Sequence, residues 1–173
     1  LQLASFSFDA SVFEIFVGVC SGATICTGTR DTVFPGEGLT NFIRDTKITH
    51  AVFVPSILAV VPYADLPDLE FMLTGGEPCT TSLVRRWGNG RRFMNAYGPT
   101  EATVKTTSYW CSLDDEMLPI GKPIANTKVY ILDPQNNLTP VGVPGELCTA
   151  GIQVAKGYLC LLYTSPSPRD ETK

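Results

Sequence analysis

Apolar positions change their period along this chain, and each change marks a different kind of element. From Ser11 the spacing is helical, with Phe13, Phe16, Val17 and Cys20 at i, i+3, i+4 and i+7. Ser11 and Glu14 stand in capping-box spacing at the start of this helix, and Ser21-Gly22 stops it. A short apolar run over 23–26 predicts a strand, and a polar helix is expected over 38–45 after a Gly/Pro-rich loop. Residues 51–54 read as a buried strand and Pro55 opens a short helix. Then follow a strand over 69–73, a helix over 81–87 and a strand over 92–94. Strands alternating with short helices imply βαβ units and a mainly parallel sheet, so the fold class is α/β.

Beyond residue 107 the pattern turns to short strands, 128–132 and 145–149, separated by the turn formers Asp133-Pro134-Gln135-Asn136-Asn137. It predicts a β-rich, barrel-like subdomain over 109–159 appended to an α/β subdomain over 1–108. No internal repeat is visible. Residues 160–173, CLLYTSPSPRDETK, shift to a Ser/Pro-rich, charged composition that continues no earlier pattern.

Composition removes several classes of function. Hydrophobic residues make up 44% of the 173, enough for a real core. Charged residues are 17% and the net charge is -4, with no basic face for nucleic acid. The longest mainly apolar stretch, 51–61, is too short to span a bilayer and contains Pro55 and Ser56, which argues against a membrane partner. The start carries no basic leader. Six cysteines are scattered without C-x-x-C pairs, which suits reduced thiols in a cytoplasmic protein and no zinc site. The single histidine, His50, leaves no His-based triad and reads as an ordinary strand residue.

Chemistry is expected where loops leave the carboxyl ends of strands, because backbone donors and helix starts gather there. Two motifs fall at such ends: Thr74-Gly75-Gly76-Glu77-Pro78 and Asn95-Ala96-Tyr97-Gly98-Pro99-Thr100-Glu101. Both glycine steps can be simple turns. A hydroxyl beside a carboxylate, Thr100-Glu101, also suits a phosphate oxygen with Mg²⁺, which takes few protein ligands and keeps its waters. Asp9, just before the first helix, can cap that helix or face a pocket whose wall includes Phe13, one turn on.

Five segments then carry a resemblance: FDASVFEIF (8–16), LTGGEP (73–78), NAYGPTEATV (95–104), PIGKPIANTKVYILD (119–133) and GELCTAGIQVAKGYL (145–159). In order and spacing they resemble the adenylation domains of non-ribosomal peptide synthetases, part of the adenylate-forming superfamily that includes acyl-CoA synthetases. The resemblance implies a ligase that joins an amino acid to the α-phosphate of MgATP, releases pyrophosphate and passes the aminoacyl group to phosphopantetheine on a carrier protein. It also implies a condensation domain elsewhere in a multidomain chain.

Carried over by position, the resemblance gives Asp9 the substrate's α-ammonium, Tyr97 the adenine face and Asn95 a hydrogen bond to the base. Gly76, Glu77 and Gly98 border the nucleotide. Thr100 contacts the α-phosphate, and Glu101 ligates Mg²⁺, so these two are the expected catalytic residues. The specificity pocket falls on Ala10, Phe13, Val52, Leu73, Gly75, Ala96, Val104 and Lys105. Apart from Lys105 these are small or apolar, which suits a hydrophobic side chain. Either the substrate offers Lys105 a carboxylate or carbonyl, or the lysine snorkels to the pocket edge; the apolar company favours the second.

Acyl-CoA and aryl acid ligases remain the alternative activity, and a non-catalytic nucleotide-binding or scaffold module the alternative role. Asp9 argues against the former, because acids without an ammonium would meet a repelling carboxylate. The family's phosphate loop, ribose-binding aspartate and catalytic lysine have no counterpart in this sequence; Lys122 and Lys156 belong to other motifs, and Ala150 replaces a customary glycine. The chain therefore reads as an internal fragment, inactive alone, with 160–173 resembling adaptor read-through.

Overall fold

The computed structural model describes residues 1–158. Its centre is a five-stranded sheet in sequence order: β1 (His50–Phe53), β2 (Phe71–Thr74), β3 (Arg92–Tyr97), β4 (Thr107–Trp110) and β5 (Lys122–Pro123). β1, β2 and β3 are parallel, and β4 and β5 return antiparallel. The expected α/β class with a parallel sheet is what forms. The crossovers carry helices α4 (Pro55–Val60) and α5 (Thr81–Trp87), which follow α1 (Ala10–Cys20), α2 (Arg30–Val33) and α3 (Glu37–Asp45). Pro55 at the first turn of α4 costs no hydrogen bond, because that N–H has no partner within a helix.

Strand periodicity sorts side chains onto two faces. Ala51, Phe53, Met72 and Phe93 join Leu39, Ile43, Leu58, Leu83, Val84 and Trp87 in the main core. The alternate positions Val52, Phe71, Leu73, Met94 and Ala96 form a second, smaller cluster with Phe13 of α1. Parallel register places Val52 beside Leu73 and Leu73 beside Met94.

The β-rich continuation is a two-stranded antiparallel ribbon, β6 (Thr127–Leu132) with β7 (Glu146–Gly151). Among the described residues it is an open ribbon, the part of a β-rich subdomain that this segment carries. The change of sheet falls between Pro123 and Thr127, whereas residue 108 lies inside β4. The unusual composition at 160–173 lies outside the described residues.

Two local expectations need correction. Residues 23–26 form no strand: the Gln2 N–H donates to the Cys26 carbonyl at 2.9 Å, and the only ladder contact nearby among the described residues is an isolated bridge between Gln2 and Thr27. The capping box is also absent. The Ser11 hydroxyl donates to the Phe8 carbonyl at 2.7 Å. The Glu14 carboxylate instead accepts from the Leu3 and Ala4 N–H groups at 3.1 and 3.0 Å. Ser11 and Glu14 are the buried residues of α1, while Phe16 and Val17 are 62% and 50% exposed, so the apolar stripe does not decide which side faces inward. Burial pushes the Glu14 carboxyl above its ordinary range despite these donors.

Removing Glu14 leaves two N–H groups of a part-buried segment without their acceptor. Glu14→Ala should cost about 1–3 kcal/mol in urea denaturation, whereas a capping role would limit the loss to that of one exposed helix start.

Candidate functional site

The carboxyl ends of the three parallel strands form one rim. β1 leads into Val54-Pro55-Ser56, β2 into Gly75-Gly76-Glu77 and β3 into Gly98-Pro99-Thr100-Glu101. Glu77 ties the first two loops together, accepting from the Ser56 N–H at 2.9 Å and the Ser56 hydroxyl at 3.0 Å. Gly75 packs against β3, where a Cβ would stand 3.0 Å from the Ala96 carbonyl. Gly76 has φ +83° with open space where a side chain would project, which leaves its backbone accessible to a ligand.

The third loop is shaped by contact. A Cβ on Gly98 would lie 2.5 Å from the Val104 carbonyl, 2.7 Å from the Thr106 N–H and 2.8 Å from the Lys105 Cα, all backbone. Thr100–Ala102 is a single 3₁₀ turn, with the Ala102 side chain buried beneath it. Thr103 and Val104 then adopt φ of +55° and +68° in succession. The Lys105 N–H donates to the Thr103 carbonyl at 2.8 Å, closing a three-residue turn centred on Val104. A β-branched residue in that region is strained, which marks the exit of the motif as a place where geometry is imposed.

The turn delivers Lys105 beside α1. Its Nζ lies 5.6 Å from the centre of the Phe13 ring, a cation–π contact. The side chain is half-buried, and burial pushes its pKa down. Among the described residues its ammonium faces this ring rather than a carboxylate.

Phe13, Val52, Leu73 and Ala96 come together in the second apolar cluster, so four predicted pocket positions share one wall. Met94 and Phe71 belong to the same cluster, unanticipated although strand alternation points to them. Ala10, Gly75 and Val104 are half-buried, and Gly75 packs against Ala96 of that cluster. Asp9 occupies the N-cap position of α1, yet its side chain makes no capping hydrogen bond. It is half-buried, and its carboxylate is not committed to the helix.

Among the residues expected to meet a nucleotide the placement is mixed. Tyr97 closes β3 with 38% of its surface exposed, open to a planar partner. Asn95 is buried, and its amide donates to the Pro119 carbonyl at 3.0 Å. Thr107 fixes the same segment by donating to the Ile120 carbonyl at 2.7 Å. The PIGKP stretch thus serves as a brace that spacing alone did not assign. Thr100 and Glu101 are exposed. The Tyr158 hydroxyl donates to Glu101 Oε1 and holds that carboxyl below its usual value. Tyr158 and Gln153, whose carbonyl accepts from the Thr103 hydroxyl at 2.6 Å, were not anticipated at the site.

A single exposed carboxylate beside a hydroxyl fits Mg²⁺, which keeps most of its waters. Among the described residues no group of three or more His, Cys, Asp or Glu is arranged around a metal. The described cysteines, Cys20, Cys26, Cys79, Cys111 and Cys148, are free thiols; burial raises the Cys111 thiol to about 11. No helix among the described residues is long and apolar enough to cross a membrane.

Residues 1–159 match the AMP-binding enzyme family model. The chain belongs to that family. It is 48% identical over 158 residues to a linear gramicidin synthase of Brevibacillus parabrevis, covering 91% of this chain and 2% of that protein. Over 160 residues it is 44% identical to bacitracin synthase 3 of Bacillus licheniformis, covering 92% and 2%. The fold superposes on the Vibrio cholerae adenylation domain AlmE, solved in complex with glycyl-adenosine-5'-phosphate, with a TM-score of 0.82 at 26% identity. That match covers 92% of this chain and 32% of AlmE. The chain thus spans a small fraction of its synthetase relatives and about a third of a solved adenylation domain.

The rim's shape depends on Gly98 lacking a side chain. Gly98→Ala should destabilise the chain by about 1–3 kcal/mol in urea denaturation, as overpacking does; a neutral effect would show that the loop can give way.

Proposed function

We propose that this chain is a segment of an amino-acid-activating adenylation domain of a non-ribosomal peptide synthetase, an ATP-dependent ligase. The observation that carries the reading is the apolar wall of Phe13, Val52, Leu73 and Ala96 beside the rim that bears Tyr97, Thr100 and Glu101. A substrate side chain and a nucleotide then meet across one strand end. The family membership and the synthetase relatives support this activity.

In the proposed reaction the substrate carboxylate attacks the α-phosphorus of ATP and pyrophosphate leaves. The residues of this chain mostly hold and orient. Asp9 receives the α-ammonium, its carboxylate being free of the helix start. Tyr97 offers its exposed ring to adenine, Gly76 and Gly98 allow close approach of backbone, and Thr100 donates toward the α-phosphate. Glu101 would hold Mg²⁺, which when bound neutralises phosphate charge. Asn95 and Glu77 border the nucleotide while their side chains brace Pro119 and Ser56, so support by shape suits them better than a direct bond to the base.

The pocket suits a hydrophobic amino acid. Lys105 needs no substrate anion, because the Phe13 ring already receives its ammonium at the pocket edge. Such a contact is worth about 0.5–2 kcal/mol, enough to favour one resting position. The aminoacyl product would pass to carrier-protein phosphopantetheine, beside a condensation domain, in a larger cytoplasmic enzyme. Phosphate-loop, ribose and lysine functions would come from outside this segment, so the 173-residue chain alone should exchange no pyrophosphate with ATP. Nucleotide binding without exchange in the intact protein would point instead to a scaffold role.

Two measurements on the intact synthetase test the reading. Asp9→Ala should lower amino-acid-dependent ATP–pyrophosphate exchange by roughly 10²- to 10³-fold or more, the effect of about 3–5 kcal/mol lost when one partner of a buried charge pair is removed; near-normal exchange would remove Asp9 from the site. Across an amino acid panel, exchange should be greater with leucine, valine or phenylalanine than with aspartate or glutamate, and the reverse order would assign Lys105 to a substrate carboxylate.

A further inference from the structure

One more segment reaches the loop that carries Glu101. Residues 153–158, beyond β7, touch it at three points. The Ala155 N–H donates to the Glu101 carbonyl at 2.7 Å, the Thr103 hydroxyl donates to the Gln153 carbonyl at 2.6 Å, and the Tyr158 hydroxyl donates to Glu101 Oε1. The segment is itself anchored. The Gln153 amide donates to the Thr127 hydroxyl of β6 at 2.7 Å, and the Val154 N–H donates to the Gly151 carbonyl at 3.2 Å. A Cβ on Gly151 would lie 2.4 Å from Gln153 Oε1 and 2.6 Å from the Asn126 carbonyl, so the strand end and the segment fit without spare room.

We infer that residues 153–158 form a strap that sets the Thr100–Val104 loop, with Tyr158 a positioning residue for the Glu101 carboxylate. An exposed glutamate samples several rotamers, and a fixed hydroxyl donor selects among them. Two successive left-handed residues, Thr103 and Val104, persist only where surrounding contacts over-determine them, and the strap supplies such contacts next to both. The ribbon thereby reaches the nucleotide rim and orients a carboxylate before any ligand arrives. Its consequence for Mg²⁺ rests on the reading of Glu101 as the metal ligand; the strap itself does not.

Amide hydrogen exchange on the 173-residue chain, without metal or nucleotide, tests the strap. Tyr158→Phe keeps the ring and deletes the donor. Exchange at the Ala155 and Lys105 amides should rise about tenfold or more, the scale of a hydrogen bond to a charged group, while amides of β2 and β3 hold. Glu101→Ala should raise the same amides, and the double variant should add nothing further, because both changes break one link. Unchanged exchange at Ala155 and Lys105, a rise spread equally over β2 and β3, or additive effects in the double variant would each overturn the inference. In the intact synthetase, a Glu101→Ala variant with an unaltered Mg²⁺ requirement would remove the metal assignment, while the exchange result still decides the strap.

Discussion

Everything at the site depends on the two-residue period of three parallel strands. Val52, Leu73 and Met94 stand side by side on one face, while Ala51, Met72 and Phe93 turn to the other and bury the helices. A slip of one residue would exchange these sets and put the pocket wall into the core. The same ladder fixes where the strands end, so it also aligns the three loops of the rim. Packing therefore sets the apolar wall and the loops of the rim in one operation.

The motif NAYGPTEATVK joins those two surfaces. Its first half continues β3, where Asn95 is braced by the Pro119 carbonyl and Tyr97 emerges at the edge. Its second half folds back over Gly98, passes through the strained turn at Val104 and sets Lys105 on the Phe13 ring. The intervening carboxylate, Glu101, is met from outside by Tyr158. The loop is thus held from within by close backbone packing and from outside by the ribbon's continuation. Such double support suits a site whose work is positioning, where small misplacements of reacting groups are costly.

Much of this was legible in the residues. Apolar runs bounded by Gly and Pro located β1, β2 and α5, and Pro55 marked the start of α4. The TGGEP and NAYGPTE stretches fell at strand ends as expected, and the resemblance, rather than periodicity, grouped Val52, Leu73 and Ala96, which share one apolar cluster. What failed did so for tertiary reasons. Ser11 and Glu14 have capping-box spacing, but Glu14 is drawn off by the Leu3 and Ala4 N–H groups. The run at 23–26 has strand character without a strand to pair with. Lys105 could not be placed from sequence, because its partner Phe13 is brought to it by a turn whose strain no composition rule announces. Tyr158 was hidden for a similar reason, lying 57 residues from the carboxylate it contacts.

The central claim is that Asp9 takes the substrate ammonium while Lys105 stands aside on Phe13, leaving an apolar pocket. The most direct measurement is a crystal structure of the intact adenylation domain with its aminoacyl adenylate bound. The account predicts the α-ammonium against Asp9, the side chain against Phe13, Val52, Leu73 and Ala96, and Lys105 Nζ still over the Phe13 ring. A substrate side-chain carboxylate paired with Lys105, or an ammonium turned away from Asp9, would contradict it.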